Sequence, residues 1–304
     1  MKKTLFLIIL FSGMIMRTVS AQDTHFTQYF SNPLYLNPAF AGSAGCSRIA
    51  ADGSIQWPNS FSIKTATLSY DQYVRYLHGG LGYIYQIDVV GAETRQSATL
   101  NYSYQINFKN NMFLVPAISV GLGDFCIDWR HFNYIVNPPA EPYSNKLYFN
   151  LGAGLLFYNK NLAMGLAIDH INRPNNGIEG VSHIPVKYTF HFSYQFKIKE
   201  IATITPTLIY LRQFKEYEIN PAILFKVWHI KFGVGNRTNL TNYDEIWGML
   251  GYENNWMSIG YSYDYSLSGL TSAGIGASHE ITTLFKFNCR CKTTKPHISK
   301  IKEF

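Results

Sequence analysis

After residue 21 the chain has no run of 18 apolar residues, which excludes transmembrane helices. Charge is scarce, 15% of residues, and forms no basic stripe of the kind a nucleic-acid surface shows. The formal charge of +7 is concentrated at the ends: Lys2, Lys3 and Arg17 at the start, and Arg290, Lys292, Lys295, Lys300 and Lys302 against Glu303 in the tail. The part between is neutral. Cysteine is sparse as well, four in all. Cys46 stands alone, Cys126 stands alone at a loop start, and Cys289-x-Cys291 has only His297 nearby, short of the roughly four ligands of a structural zinc site. No metal or cofactor is therefore expected, and a tight disulfide at Cys289/Cys291 stays open. Catalytic motifs are missing too: no G-x-S-x-G elbow, no G-x-x-x-x-G-K, and a His279-Glu280 pair without the second histidine of a zinc protease. Ser278 and His279 are strand neighbours, so they point to opposite faces and cannot form a nucleophile–base pair. No catalytic residue is expected, and the chain is read as a non-enzyme.

What the chain does have is alternation. In 95–106, Gln96, Ala98, Leu100, Tyr102, Tyr104 and Ile106 fall on one face, and Arg95, Ser97, Thr99, Asn101, Ser103 and Gln105 on the other. The same split recurs over 186–197 and 257–265, with aromatics on the apolar side. About fourteen such segments follow one another. Lipid cannot satisfy an open sheet edge, so a series of this kind reads as a closed, all-β transmembrane barrel of about 14 antiparallel strands in a bacterial outer membrane. An exported soluble β-sandwich would need these polar faces to cover the outside of many long strands.

Residues 1–21 read as an export signal: Lys2 and Lys3, an apolar stretch over 4–16, and a small-x-small site at Val19-Ser20-Ala21. Residues 22–47 form an N-terminal extension, 48–287 the barrel, and 288–304 a basic periplasmic tail. Connections sort by length. Those at 107–111, 159–161, 197–200, 226–227 and 253–255 are short and rich in turn residues, whereas 124–145, 172–184, 237–243 and 266–273 are long. Short turns inside and long loops outside is the outer-membrane pattern, and an even strand count places both termini in the periplasm.

Two groups of residues stand out as candidates. In the extension, Asn32-Pro33 and Asn37-Pro38 favour extended and turn backbone and forbid a continuous helix. Phe26, Tyr29, Phe30, Leu34, Tyr35, Leu36 and Phe40 are too apolar to leave in water, so this segment packs on the barrel interior, on its rim or on a partner. On the polar strand faces, Arg95, Lys187, His191, Lys231 and Glu280 are expected to line the lumen. Glycine pairs such as Gly152/Gly154 and Gly233/Gly235 alternate at strand spacing, as if relieving crowding there.

The stretch from Gln22 to Gly42, QDTHFTQYFSNPLYLNPAFAG, closely resembles the opening of the PorP/SprF family, outer-membrane proteins of type IX secretion and gliding in Bacteroidetes. Gln56-Trp57-Pro58, Ser69-Tyr70-Asp71, Gly79-Gly80-Leu81-Gly82, Leu250-Gly251-Tyr252, Tyr261-Ser262-Tyr263-Asp264 and Ser278-His279-Glu280-Ile281 fit the same family. The tail with Cys289 and Cys291 extends past its final strand. The resemblance implies a non-enzymatic barrel in the outer-membrane lipid. It would work with periplasmic ring and motor-associated components of the machinery, or anchor a secreted adhesin at the surface. A passive channel or apolar-solute transporter is the alternative that any barrel of this size permits.

Overall fold

A computed structural model describes residues 23–58, 62–132, 141–178, 180–198, 201–239, 243–267 and 277–287. The expected export signal and basic tail, with Cys289 and Cys291, lie outside the described residues. Fourteen strands follow in chain order: β1 (Ser47–Gln56), β2 (Ile63–Val74), β3 (Gly79–Val90), β4 (Glu93–Tyr104, resumed over Ile106–Phe108), β5 (Met112–Asp128), β6 (Tyr143–Tyr158) and β7 (Leu162–Asp169). Then come β8 (Lys187–Tyr194, resumed over Phe196–Ile198), β9 (Ala202–Gln213), β10 (Glu216–Val227), β11 (Ile230–Thr238), β12 (Tyr243–Glu253), β13 (Met257–Ser266) and β14 (Ser278–Phe287). Each pairs antiparallel with its sequence neighbours, and β1 pairs with β14 from Ser47↔Phe287 to Ile55↔His279. The sheet is thus a closed barrel, and none of its strands is left as a free sheet edge along its whole length.

Alternation decides which side chain meets lipid. In β4, Leu100 is 65% exposed on the outer face while Asn101, its neighbour, is 4% exposed and inward. The same phase puts Tyr188 outside and Thr189 and His191 inside on β8, and Tyr261 outside and Ser262 inside on β13. The inner face is not uniformly polar, however. Phe113, Val115, Leu156, Tyr158, Leu224, Trp247 and Met249 all belong to one buried apolar cluster inside the barrel.

The strand ends that flank the long connections, led by 129–142, 170–186 and 267–277, all meet at one mouth; at the other, no connection exceeds four residues. Strand limits differ most from expectation at β5 and β6, which continue pairing to Asp128↔Tyr143. Cys126 therefore lies within a strand, not at a loop start. It is free, whereas Cys46 is disulfide-bonded.

A second difference concerns the ends. Ser47 and Phe287 pair at the short-turn mouth, but Asp23 lies beside His170, Lys187 and Gln213 at the long-loop mouth. An even strand count puts the two ends of the barrel at one mouth, and residue 23 lies at the other. The segment before β1 runs back through the lumen.

Candidate functional site

Residues 23–46 fill much of the lumen, and their prolines shape them. Pro33 opens a single helical turn, α1 (Pro33–Leu36), and Pro38 opens a 3-10 turn (Pro38–Phe40). Each sits at a first helical position, where a missing N–H costs little. Asn37 between them is extended, and its side-chain oxygen accepts the Ala39 N–H at 2.9 Å. The chain therefore bends twice in place of one helix. Gly42, at φ +69, then turns it towards β1, and its N–H donates to Asp71 Oδ2 at 2.8 Å.

At the long-loop mouth, Asp23 Oδ2 meets His170 Nε2 at 3.0 Å and Lys187 Nζ at 3.1 Å. Burial alone would raise the Asp23 carboxyl, but Lys187 and His170 hold it well below the usual carboxylate range. Thr24 Oγ1 donates to Asp88 Oδ1 at 2.7 Å. His25 lies 3.6 Å from Glu218, and burial together with Arg237 keeps its pKa below the ordinary histidine value.

Midway, Glu280 is the main anchor. Its two carboxylate oxygens accept the backbone N–H groups of Thr27 and Gln28, each at 2.7 Å. Thr27 Oγ1 also bonds Asp264 and receives Arg237 Nη2 at 3.2 Å. Tyr29 and Thr207 share a hydroxyl hydrogen bond of 2.6 Å. Asn32 Nδ2 donates to Asp52 Oδ2 at 2.7 Å, and Ser69 Oγ donates back to Asn32 Oδ1 at 2.9 Å. Lower down, Asn37 Nδ2 donates to His191 Nε2 at 3.0 Å. Ser103 Oγ donates to Ala41 O at 2.8 Å.

The apolar inner wall meets Tyr29, Phe30, Leu36 and Phe40. Burying a Phe or Leu contributes about 1.5–3 kcal/mol, while a typical hydrogen bond nets about 1 kcal/mol. The apolar wall therefore holds the segment down, and the polar contacts fix its register. A cavity of about 600 Å³ remains open at the long-loop end, lined in part by Asp88, Arg95, Tyr148, His170 and Lys187.

Residues 18–285 match the family described as Type IX secretion system membrane protein PorP/SprF. The chain belongs to the PorP/SprF family. No curated protein matches it. Among solved structures, the P. putida toluene transporter TodX is similar over 83% of this chain and 92% of its own, at 7% identity and a TM-score of 0.50. The Ralstonia pickettii toluene transporter TbuX is similar over 84% of this chain and 93% of its own, at 8% identity and a TM-score of 0.50. At such identities the likeness shows the barrel fold alone.

In this PorP/SprF barrel, Phe26, Tyr29, Phe30, Asn32, Pro33, Leu34, Asn37, Pro38 and Phe40 are buried and Tyr35 is half-buried. Four of the five charged or polar residues expected in the lumen touch the segment: Lys187 at Asp23, His191 at Asn37, Glu280 at Thr27 and Gln28, and Lys231, whose Nζ sits 5.8 Å over the Phe30 ring. Arg95 does not; it pairs with Glu93 at 3.1 Å and lines the cavity. The sequence reading missed Arg48, Asp52, Asp71 and Asp264. All four occupy inward-phase strand positions, so the alternation itself carried the signal. Ser278 is buried inside, while His279 faces outward and bonds Tyr261 OH at 2.8 Å.

Proposed function

We propose that this outer-membrane barrel serves type IX secretion by protein–protein interaction, in export or surface anchoring of cargo, and that its own N-terminal segment closes the lumen. The burial of Phe30, Leu34 and Phe40 against the inner wall supports a closed barrel over a passive solute channel. Membership of a secretion-system barrel family supports a non-enzymatic role. Its partners are the surrounding lipid and either periplasmic ring or motor-associated components of the machinery or a secreted surface adhesin. In this reading the long loops face outward, the barrel ends at Ser47 and Phe287 face the periplasm, and Asp23 sits at the outer mouth.

Deleting residues 23–42, with the export signal kept, tests it. The barrel should still insert and run as a heat-modifiable band, conduct ions in planar bilayers, and fail to support cargo display. Normal display would sink the interaction role of the segment. Normal display with new permeability would favour a channel occluded by a plug.

A further inference from the structure

β5 and β6 have 17 and 16 residues, but β7, the next strand beyond β6, has only 8. β6 pairs with β5 from Tyr143 to Tyr158, yet with β7 only from Ala153 to Tyr158. The other side of the hairpin has no such gap. There β5 pairs with β4 up to Ile127, and the Asp128 N–H continues to Ala92 O at 2.9 Å. The protruding hairpin is bare on one edge.

That edge has a defined polarity. Leu151 O accepts the Ile171 N–H at 2.9 Å, and the Leu151 N–H donates to Asn172 Oδ1 at 3.1 Å. Asn172 Nδ2 donates to Phe149 O at 2.6 Å. One side-chain amide thus supplies a donor and an acceptor where a further strand would. Odd-numbered residues of β6 direct their backbone groups away from β5. Beyond the reach of Asn172, the N–H of Phe149 and both backbone groups of Leu147 and Asn145 have no partner among the described residues.

Natural edges are blunted by lysine or other charges, proline, bulges or short length. Over 143–149 there is no proline and no bulge, and the one charge, Lys146, is on the inward face; the outward side chains are Tyr143, Asn145, Leu147 and Phe149, with Leu147 70% exposed. The inward Tyr148 and Asn150 line the 600 Å³ cavity. We infer that the free edge of β6 over residues 143–149 is a docking site for an extended segment of a partner polypeptide, which adds a strand there. Alternate backbone donors and acceptors are matched by extended peptide. The flanking side chains call for apolar residues on the partner's outer face and polar ones over the cavity.

This inference rests on the interaction reading, and proline parity separates the two. Residue 147 directs its N–H away from β5, so Leu147→Pro removes an edge donor and leaves the β5–β6 ladder whole; Asn145→Pro does the same. The full-length protein is expressed in cells whose display of a secreted surface protein is lost when the gene is deleted; display that survives gene deletion overturns the interaction reading itself. Both proline variants should insert at normal level and reduce display at least tenfold, while Leu147→Thr, which keeps the N–H, should stay within twofold of wild type. A photo-reactive benzoylphenylalanine at Asn145 should crosslink to the displayed protein, and one at outward-facing Tyr104 should not. Wild-type display by the proline variants, or no adduct at Asn145, overturns the docking edge and leaves the interaction reading standing.

Discussion

Arg48 and Asp71 form a two-pronged ion pair inside the barrel, with Nε at 2.7 Å and Nη2 at 3.1 Å from the two carboxylate oxygens, where the lumen segment becomes β1. Asp71 also accepts the Gly42 N–H, and Arg48 Nη2 reaches Phe40 O at 3.3 Å. The pair therefore ties strands β1 and β2 to the last turn of the segment.

Removing one partner leaves the other charge buried, at a cost of about 3–5 kcal/mol. Asp71→Asn should lower the urea unfolding midpoint of the barrel in lipid vesicles accordingly. Adding Arg48→Met to it should recover a large part of that loss. If the double variant is no better than the single one, charge pairing is not what holds this corner.

The face assignment predicts a second contrast. Leu100→Arg places a charge against lipid near mid-strand and should cost about 2–4 kcal/mol. Ser97→Arg, on the same strand but facing the open cavity, should insert normally. Folding yield into vesicles measures both, and equal losses would refute the phase.

Alternation made the strands and their faces legible, because burial on one side imposes a period of two along each strand. It failed where both faces are apolar. Phe113 and Val115 on β5, and Leu156 and Tyr158 on β6, point inward onto the segment, so their strands show no polar face there. The segment's need for burial was legible from Phe30, Leu34 and Phe40. Its path was not, since nothing local to residues 23–42 encodes Glu280, more than 200 residues away along the chain.

Acidity should loosen the upper part of the segment through His25. It faces Glu218, Glu245, Arg237 and Lys187, and its folded pKa is lowered by burial and then by Arg237. A group with a depressed folded value contributes stability above its unfolded value, near 6.5, and loses it as pH falls below that. Asp23 is also depressed, so its contribution falls only below about pH 4. Of these two residues at the mouth, His25 is thus the one that changes between pH 7.5 and 5.5. In a Cys126→Ser background, maleimide labelling at Ala39→Cys, a buried position, read on its own peptide by mass spectrometry, should rise by up to about tenfold across this range. His25→Gln should flatten the response, and an unchanged slope in that variant would assign it elsewhere.

Alanine on the barrel wall can unseat the segment without altering it. A Cβ on Gly80 would lie 2.1 Å from Ala41 O and 2.5 Å from Gly42 N, both backbone atoms that no side-chain rotation can move. On Gly260 it would lie 2.2 Å from Gln28 Oε1, the far end of a flexible side chain, and on Gly248 it would meet nothing within 4 Å. None of the three has a backbone conformation reserved for glycine, so alanine does not strain the strands themselves. Gly80→Ala should therefore push the segment off its seat and open conducting pores in planar bilayers. Gly260→Ala should open them rarely, and Gly248→Ala not at all. A closed Gly80→Ala barrel of normal stability would mean that the segment is not packed against β3 as described, and a conducting Gly248→Ala would show that the pores arise from the barrel wall instead.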